Sequence, residues 1–366
     1  MNILIFLIIL LVLVLVHEFG HFFSAKKFGI RVDEFGFGFP PKIFGFKKGE
    51  TEYTLNLLPL GGFVKIFGEN PEVEQAHYGA GPDEDRKFYN KPKWKQAIVL
   101  FAGVFANFIL AWFLFSFGFM SGFPTSVGSE AKGYALSDVH LVVISVASKS
   151  PSEMSGLKSG DIITSVGVGK DFTSYVSPET VKSFVVHSEG DKIEIGYTRG
   201  NNAEQFVKIT PDISSGEPLI GISMDQVGIA KLPFLRAFYE GMNLTLNMIK
   251  GTALGLYGLI TDGIQGKGSF ASITGPVGMV GIVGDAYELG IVYLLSFAAL
   301  ISVNLAVINL LPFPALDGGR LLFLLIEKIK GSRMNPKFAN TANMVGFGIL
   351  ILLMLVVTYR DVVKLF

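Results

Sequence analysis

Four apolar runs punctuate the chain, roughly Ile3–Ala25, Ala97–Met120, Ile291–Leu311 and Met344–Val363. A hydrocarbon core about 30 Å thick is crossed by a helix of about 20 apolar residues, so each run predicts a transmembrane helix. The first run lacks a positive n-region and a small-residue cleavage site ahead of Lys26 and Lys27, which marks a retained span rather than a secretory leader. A fifth stretch, Phe234–Ile264, is broken by Glu240, Lys250 and Asp262; it predicts an interfacial amphipathic helix.

Between the spans the periodicity changes. Thr51–Leu58 alternates as a strand does, within a Gly- and Phe-rich segment, Val32–Glu69, bounded by Pro and Gly. That predicts a small membrane-associated β-hairpin or sheet, followed by a polar, mobile loop over Asn70–Asn90. From Thr125 to Gln226 the pattern is that of a soluble α+β domain. Strands are predicted at Leu141–Val146, Asp161–Val166, Lys192–Thr198 and Gln205–Ile209, and a helix at Pro178–His187 capped by Ser177.

Composition agrees. Half of the 366 residues are hydrophobic and only 17% are charged, against about 25% charged in soluble domains. A net charge of zero excludes nucleic-acid binding through bulk charge. With no cysteine, disulfides, thiolate zinc sites and thiol nucleophiles are excluded together. Orientation follows the basic loops. Lys26, Lys27 and Arg31, then Lys91, Lys93 and Lys95, then Lys328, Lys330, Arg333 and Lys337 all face the cytoplasm if the chain starts outside. Both termini and the soluble domain are then extracytoplasmic; Arg360 and Lys364 run mildly against this.

Chemistry enters at His17-Glu18-Phe19-Gly20-His21. Histidines four apart share one helix face and can hold one Zn²⁺, with Glu18 beside them to take a proton from water. Ionisable groups inside a span are a functional hypothesis by default; the bland alternative is that they snorkel at the helix end. Catalytic zinc takes a third protein ligand, and the candidate is Asp317 in NLLPFPALDGG (Asn309–Gly319). His17 lies about 21 Å along its helix at about 1.5 Å per residue, past the midplane. The third span runs the same way in a four-span chain and delivers Asp317 to a similar level. An ordinary Asp-Gly turn is the competing reading. His77, His140 and His187 read as surface residues.

HEFGH in the first span, NLLPFPALDGG after the third, and the soluble domain between them resemble the site-2 protease family of intramembrane zinc metalloproteases, closest to the bacterial regulator-of-sigma-E branch. LPLGGFVKIFGE (Leu58–Glu69), FYNKPKWKQAIVLFAGVFANF (Phe88–Phe108) and SITGPVGMV (Ser272–Val280) are similar to family segments, and SPSEMSGLKSGDIITSVG (Ser150–Gly167) resembles a PDZ domain. The expected architecture is a polytopic α-helical membrane protein of four transmembrane helices. It carries a membrane-associated β region and one inserted PDZ-like α+β domain, laid out as 1–121, 125–226 and 234–366.

The resemblance implies zinc on His17, His21 and Asp317, Glu18 as general base and Asn309 as a holder of substrate backbone. It also implies a bacterial inner-membrane enzyme, with its active site toward the cytoplasm, that cuts single-span membrane proteins such as an anti-sigma factor or remnant signal peptides. The PDZ-like domain would bind a peptide or sieve substrates trimmed outside, and the hairpin around Thr51–Lys65 would offer an edge for an unwound substrate; a plain interfacial anchor is the alternative. Two departures stand out: Val104 occupies the usual Pro position of AGPxxN, and only one PDZ-like domain fits. The rival readings are a zinc-binding or transport protein, against which the lack of an internal repeat speaks, and a catalytically inactive PDZ scaffold.

Overall fold

A computed structural model describes residues 1–69, 83–129, 131–188, 190–200, 202–213, 216–266 and 274–363. The elements run α1 (Asn2–Lys27), β1 (Val32–Lys48), β2 (Thr51–Ile66), α2 (Lys93–Ser121), β3 (Phe123–Ser126), β4 (Ser137–Val146), α3 (Pro151–Met154), β5 (Ile162–Val168), β6 (Asp171–Thr173), α4 (Pro178–His187), β7 (Ile193–Thr198), β8 (Gln205–Ile209), β9 (Ile222–Ala230), α5 (Phe234–Ile264), α6 (Pro276–Leu289), α7 (Ile291–Asn309), α8 (Asp317–Lys330) and α9 (Pro336–Val363). They form two compact units, residues 1–115, 241–284 and 295–366 in one, residues 116–240 and 285–294 in the other.

In the first unit, α1, α2, α7 and α9 are the four helices among the described residues long and apolar enough to span a membrane. Their sidedness is inverted relative to a soluble protein. On α1 the buried face is Leu13, His17, His21 and Ser24, at helical spacing, while Ile8, Val12, Phe19 and Phe23 point outward. Backbone groups in lipid must be satisfied within the segment, so apolar side chains can face out and the polar ones turn inward. The middle of α5 is fastened to a span: Thr252 Oγ1 donates to Asn304 Oδ1 of α7 at 2.8 Å. The predicted interfacial helix is therefore held alongside α7. Both chain ends meet α6, since Gly284 abuts Asn2 and the Gly278 amide donates to Asp361 Oδ2 at 2.8 Å.

The β region is more folded than one hairpin. Phe35 of β1 pairs with Val64 on one side and with Tyr53 on the other, and the second half of β1 pairs back onto Thr51–Asn56. The sheet thus has four segments in the order 62–66, 32–37, 51–56, 42–48. Thr51–Asn56 is an inner segment; among the described residues the sheet's two edges are Lys42–Lys48 and Gly62–Ile66, and only the latter falls in the Thr51–Lys65 stretch expected to offer a docking edge. A cluster of Ala25, Ile30, Val32, Ile66, Val99 and Leu100 anchors this sheet to α1 and α2. Lys26 of α1 and Arg86 both bind Glu50 at the hairpin turn. Partial burial pushes the Glu50 carboxyl up, but these two cations outweigh it and hold its pKa below the usual value. Of the expected mobile loop, residues 70–82 lie outside the described residues. Residues 83–90 are packed in place, with Arg31 on Asp83 and the Phe88 amide donating to Phe67 O at 2.8 Å.

The second unit is an α+β sandwich built on a seven-stranded sheet, ordered β3-β9-β4-β5-β7-β8 with β6 on β5. Leu141, Val143, Ile163, Val166, Ile193, Ile195 and Ile209 from its strands meet Val181 and Val185 of α4 in the core. Ser177 caps α4 by accepting the Thr180 amide at 3.1 Å. The fully buried Asp161 is held by Arg199 through two contacts of 2.6 and 2.8 Å. The unit reaches beyond 125–226 at both ends, because β3, β9 and residues 285–294 complete it.

Candidate metal centre

The site is assembled by three helices of the first unit. One turn of α1 separates His17 from His21, and both are buried at 7% exposure. The segment after α7 brings Asp317 to the head of α8. Its tight path depends on two glycines: a Cβ on Gly318 would lie 2.2 Å from Leu311 O, and one on Gly319 2.2 Å from Phe313 O. Ala315 is left-handed (φ 77), and its amide is held by Asn343 Oδ1 at 3.0 Å.

His17 Nε2 lies 3.0 Å from Asp317 Oδ2, His21 Nε2 lies 3.2 Å from that oxygen, and the two Nε2 atoms are 3.2 Å apart. His21 Nδ1–H donates to Val99 O at 2.8 Å, so in the neutral ring its Nε2 carries a lone pair. Bare imidazole nitrogens and a carboxylate oxygen crowded together repel one another unless a cation lies between them. A tetrahedral zinc with bonds of about 2.0–2.2 Å sets its ligand atoms about 3.3 Å apart, close to the spacing found. The donor set and its separations therefore fit zinc.

The three residues line a cavity of about 330 Å³ together with Glu18, Asn309 and Arg320. Edge segment 62–66 forms one wall: a Cβ on Gly62 would sit 3.6 Å from Glu18 Cγ. Arg320, one turn past Asp317, forms an ion pair with Glu69 at the end of the sheet. That carboxylate raises the guanidinium pKa against the opposing effect of burial. Helix α2 closes the remaining side. A Cβ on Gly20 would meet Ala102 O at 2.2 Å, and one on Gly103 would meet His21 Nε2 at 2.3 Å, so only glycine permits this crossing.

With this geometry in view, comparison with known proteins is decisive. The model of peptidase family M50 matches residues 5–353. The chain belongs to peptidase family M50. Among its relatives, zinc metalloprotease RasP of Shouchella clausii is 33% identical over 99% of this chain and 98% of its own. Regulator of sigma-W protease RasP of Bacillus subtilis is 30% identical over 99% and 98% respectively. The M50 chain is thus a zinc metalloprotease of the site-2 protease type, as its motifs suggested, and a membrane protein.

Of the residues singled out in the sequence, His17, His21 and Asp317 come together, and Glu18 and Asn309 line the same cavity. His140 and His187 are exposed on the second unit, and His77 lies outside the described residues. Helix α2 runs unbroken through Val104, which is buried. Sequence reasoning gave no role to Asn107, the Asn of the AGPxxN pattern, which is fully buried with Nδ2 3.3 Å from His17 Nδ1. An amide in the middle of an apolar span was the available signal. It also missed the Glu69–Arg320 pair, which joins residues 251 positions apart.

Proposed function

We propose that this enzyme hydrolyses peptide bonds of single-span membrane proteins within the bilayer, with zinc held by His17, His21 and Asp317. The observation that carries the reading is that this donor set, the Glu18 carboxylate and an unpaired sheet edge share one cavity on a membrane-spanning helix. Bound there, zinc would supply Lewis acidity, polarising a carbonyl and lowering the pKa of water to about 7. Glu18 takes the water's proton and passes it to the leaving amine. The intact Glu18 favours an active protease over a scaffold.

A helical substrate hides its carbonyls in its own hydrogen bonds, and an unwound one in lipid must satisfy them elsewhere. Edge segment Gly62–Ile66 offers backbone partners for such a strand, and Asn309 at the end of α7 would hold its backbone across the cavity. The second unit serves as a PDZ-like peptide-binding domain on the extracytoplasmic side. The basic loops put both termini on that side and the active site toward the cytoplasm. The Bacillus subtilis relative is named as a regulator of sigma-W, so a membrane-anchored anti-sigma factor is the substrate class proposed.

The test is reconstitution of the purified enzyme in vesicles with a single-span substrate. Cleavage products are mapped by mass spectrometry, with and without zinc chelation. The expected scissile bond lies inside the apolar segment, on its cytoplasmic half, and chelation abolishes cleavage. Cuts confined to the soluble flanks of the substrate would overturn the reading.

A further inference from the structure

Both ligand histidines turn their second ring nitrogen toward the same stripe of α2. Val99, Gly103 and Asn107 stand four residues apart on that helix, on one face. Val99 O takes the Nδ1–H of His21 at 2.8 Å, Gly103 packs against the His21 ring, and the Asn107 amide reaches His17 Nδ1 at 3.3 Å. The stripe forms the outer support of the metal site, and Asn107 is the one member that acts through a side-chain polar group.

Ligation by His17 Nε2 needs a lone pair on that atom, so the proton of the neutral ring sits on Nδ1. Nδ1–H is a donor, yet the amide presents its own donor, Nδ2, toward it. Two donors cannot bond each other. Turning the amide by 180° puts Oδ1 against Nδ1–H, and the two orientations of an amide are sterically equivalent. Nothing holds the opposite orientation, because among the described residues the buried Oδ1 has no hydrogen-bond partner. The turn converts a donor–donor contact into a hydrogen bond and reduces the amide atoms without a hydrogen bond from two to one.

We propose that Asn107 is a positioning residue of the metal centre, whose side-chain carbonyl accepts the Nδ1–H of His17 and fixes the ring with Nε2 free to ligate. The backbone of Asn107 is itself pinned, since its carbonyl accepts the Ser302 hydroxyl of α7 at 2.8 Å. That contact leaves the side-chain amide untouched, so the amide's effect on His17 can be separated from helix packing. This role rests on the zinc reading of the site, and it extends that reading to a third span. Partners of this kind typically affect metal affinity by about 10–100-fold.

The experiment measures zinc affinity of the full-length protein in detergent by competition with a chelating dye. Three variants are compared with the wild type, and the visible spectrum of the cobalt-substituted forms is recorded. Asn107→Leu keeps the volume and removes the acceptor; it is expected to weaken zinc by about 10–100-fold and to alter the cobalt bands. Asn107→Asp keeps an acceptor oxygen and no donor; it is expected to stay within a few-fold of wild type. Ser302→Ala disturbs the same helix contact without touching the amide, and zinc affinity is expected to hold.

Wild-type affinity for Asn107→Leu overturns the proposal, as does an Asn107→Asp variant weaker than Asn107→Leu. An equal loss in Ser302→Ala overturns it too, because the effect would then be one of packing. A wild-type protein that binds no zinc would instead overturn the metal site itself, so the two failures are distinguishable.

Discussion

Replacing Gly20 with alanine tests how closely the catalytic helix must approach its neighbour. The added Cβ would lie 2.2 Å from Ala102 O, 2.7 Å from Ala102 C and 2.9 Å from Gly103 Cα. All three are backbone atoms that cannot swing away. Comfortable contacts between heavy atoms fall at about 3.5 Å, so α1 and α2 must part by roughly 1 Å at the crossing. Overpacking of this kind costs about 1–3 kcal/mol, which a helix held in lipid can absorb without unfolding.

The functional cost is larger, because Gly20 lies between His17 and His21. A shift of that size would stretch the 2.8 Å bond from His21 to Val99 beyond hydrogen-bond range. Misplacement by about 1 Å can cost about 100-fold in rate. Gly20→Ala should therefore insert normally and unfold at a modestly lower temperature, yet cleave a single-span substrate in vesicles about 100-fold more slowly. Cleavage at the wild-type rate would refute the close-approach argument.

Two further perturbations probe other parts of the structure. In a double-mutant cycle on Glu69→Gln and Arg320→Met, detergent unfolding should give a coupling of about 1–3 kcal/mol, the range of hydrogen bonds to charged groups; additive effects would show that the ion pair contributes nothing. Asp161→Ala removes the partner of Arg199 inside the second unit. Thermal unfolding of the full chain should show that unit losing about 3 kcal/mol, the low end for a broken buried pair because Arg199 still reaches water, and an unchanged transition would contradict the assignment.

The spans and the His17–His21–Asp317 cluster were legible in the sequence because each rests on a local rule. An apolar run of sufficient length dictates a membrane helix, and HEFGH puts two imidazoles on one face of it. Asp317 was legible through topology, since parallel first and third spans deliver it to the depth of His17. Pairings between distant segments were not legible. Thr51–Asn56 alternates like an edge strand but is covered on both sides, because β1 folds back on itself, and no local pattern announces that register. Asn107 and Gly103 are ordinary residues of an apolar helix until the crossing with α1 sets them against the histidines. The strands β3 and β9 straddle the two ends of the stretch whose composition marked a soluble domain, where the polar pattern gives way to the apolar flanks.

The central claim is that Glu18 performs proton transfer at a zinc site formed by His17, His21 and Asp317. The most direct measurement is zinc stoichiometry and cleavage rate together in purified Glu18→Gln. The side chain keeps its size and loses its basicity, so one zinc per chain should remain while cleavage falls by at least about 100-fold, the typical contribution of general acid–base catalysis. Cleavage at the wild-type rate with zinc still bound would contradict the account.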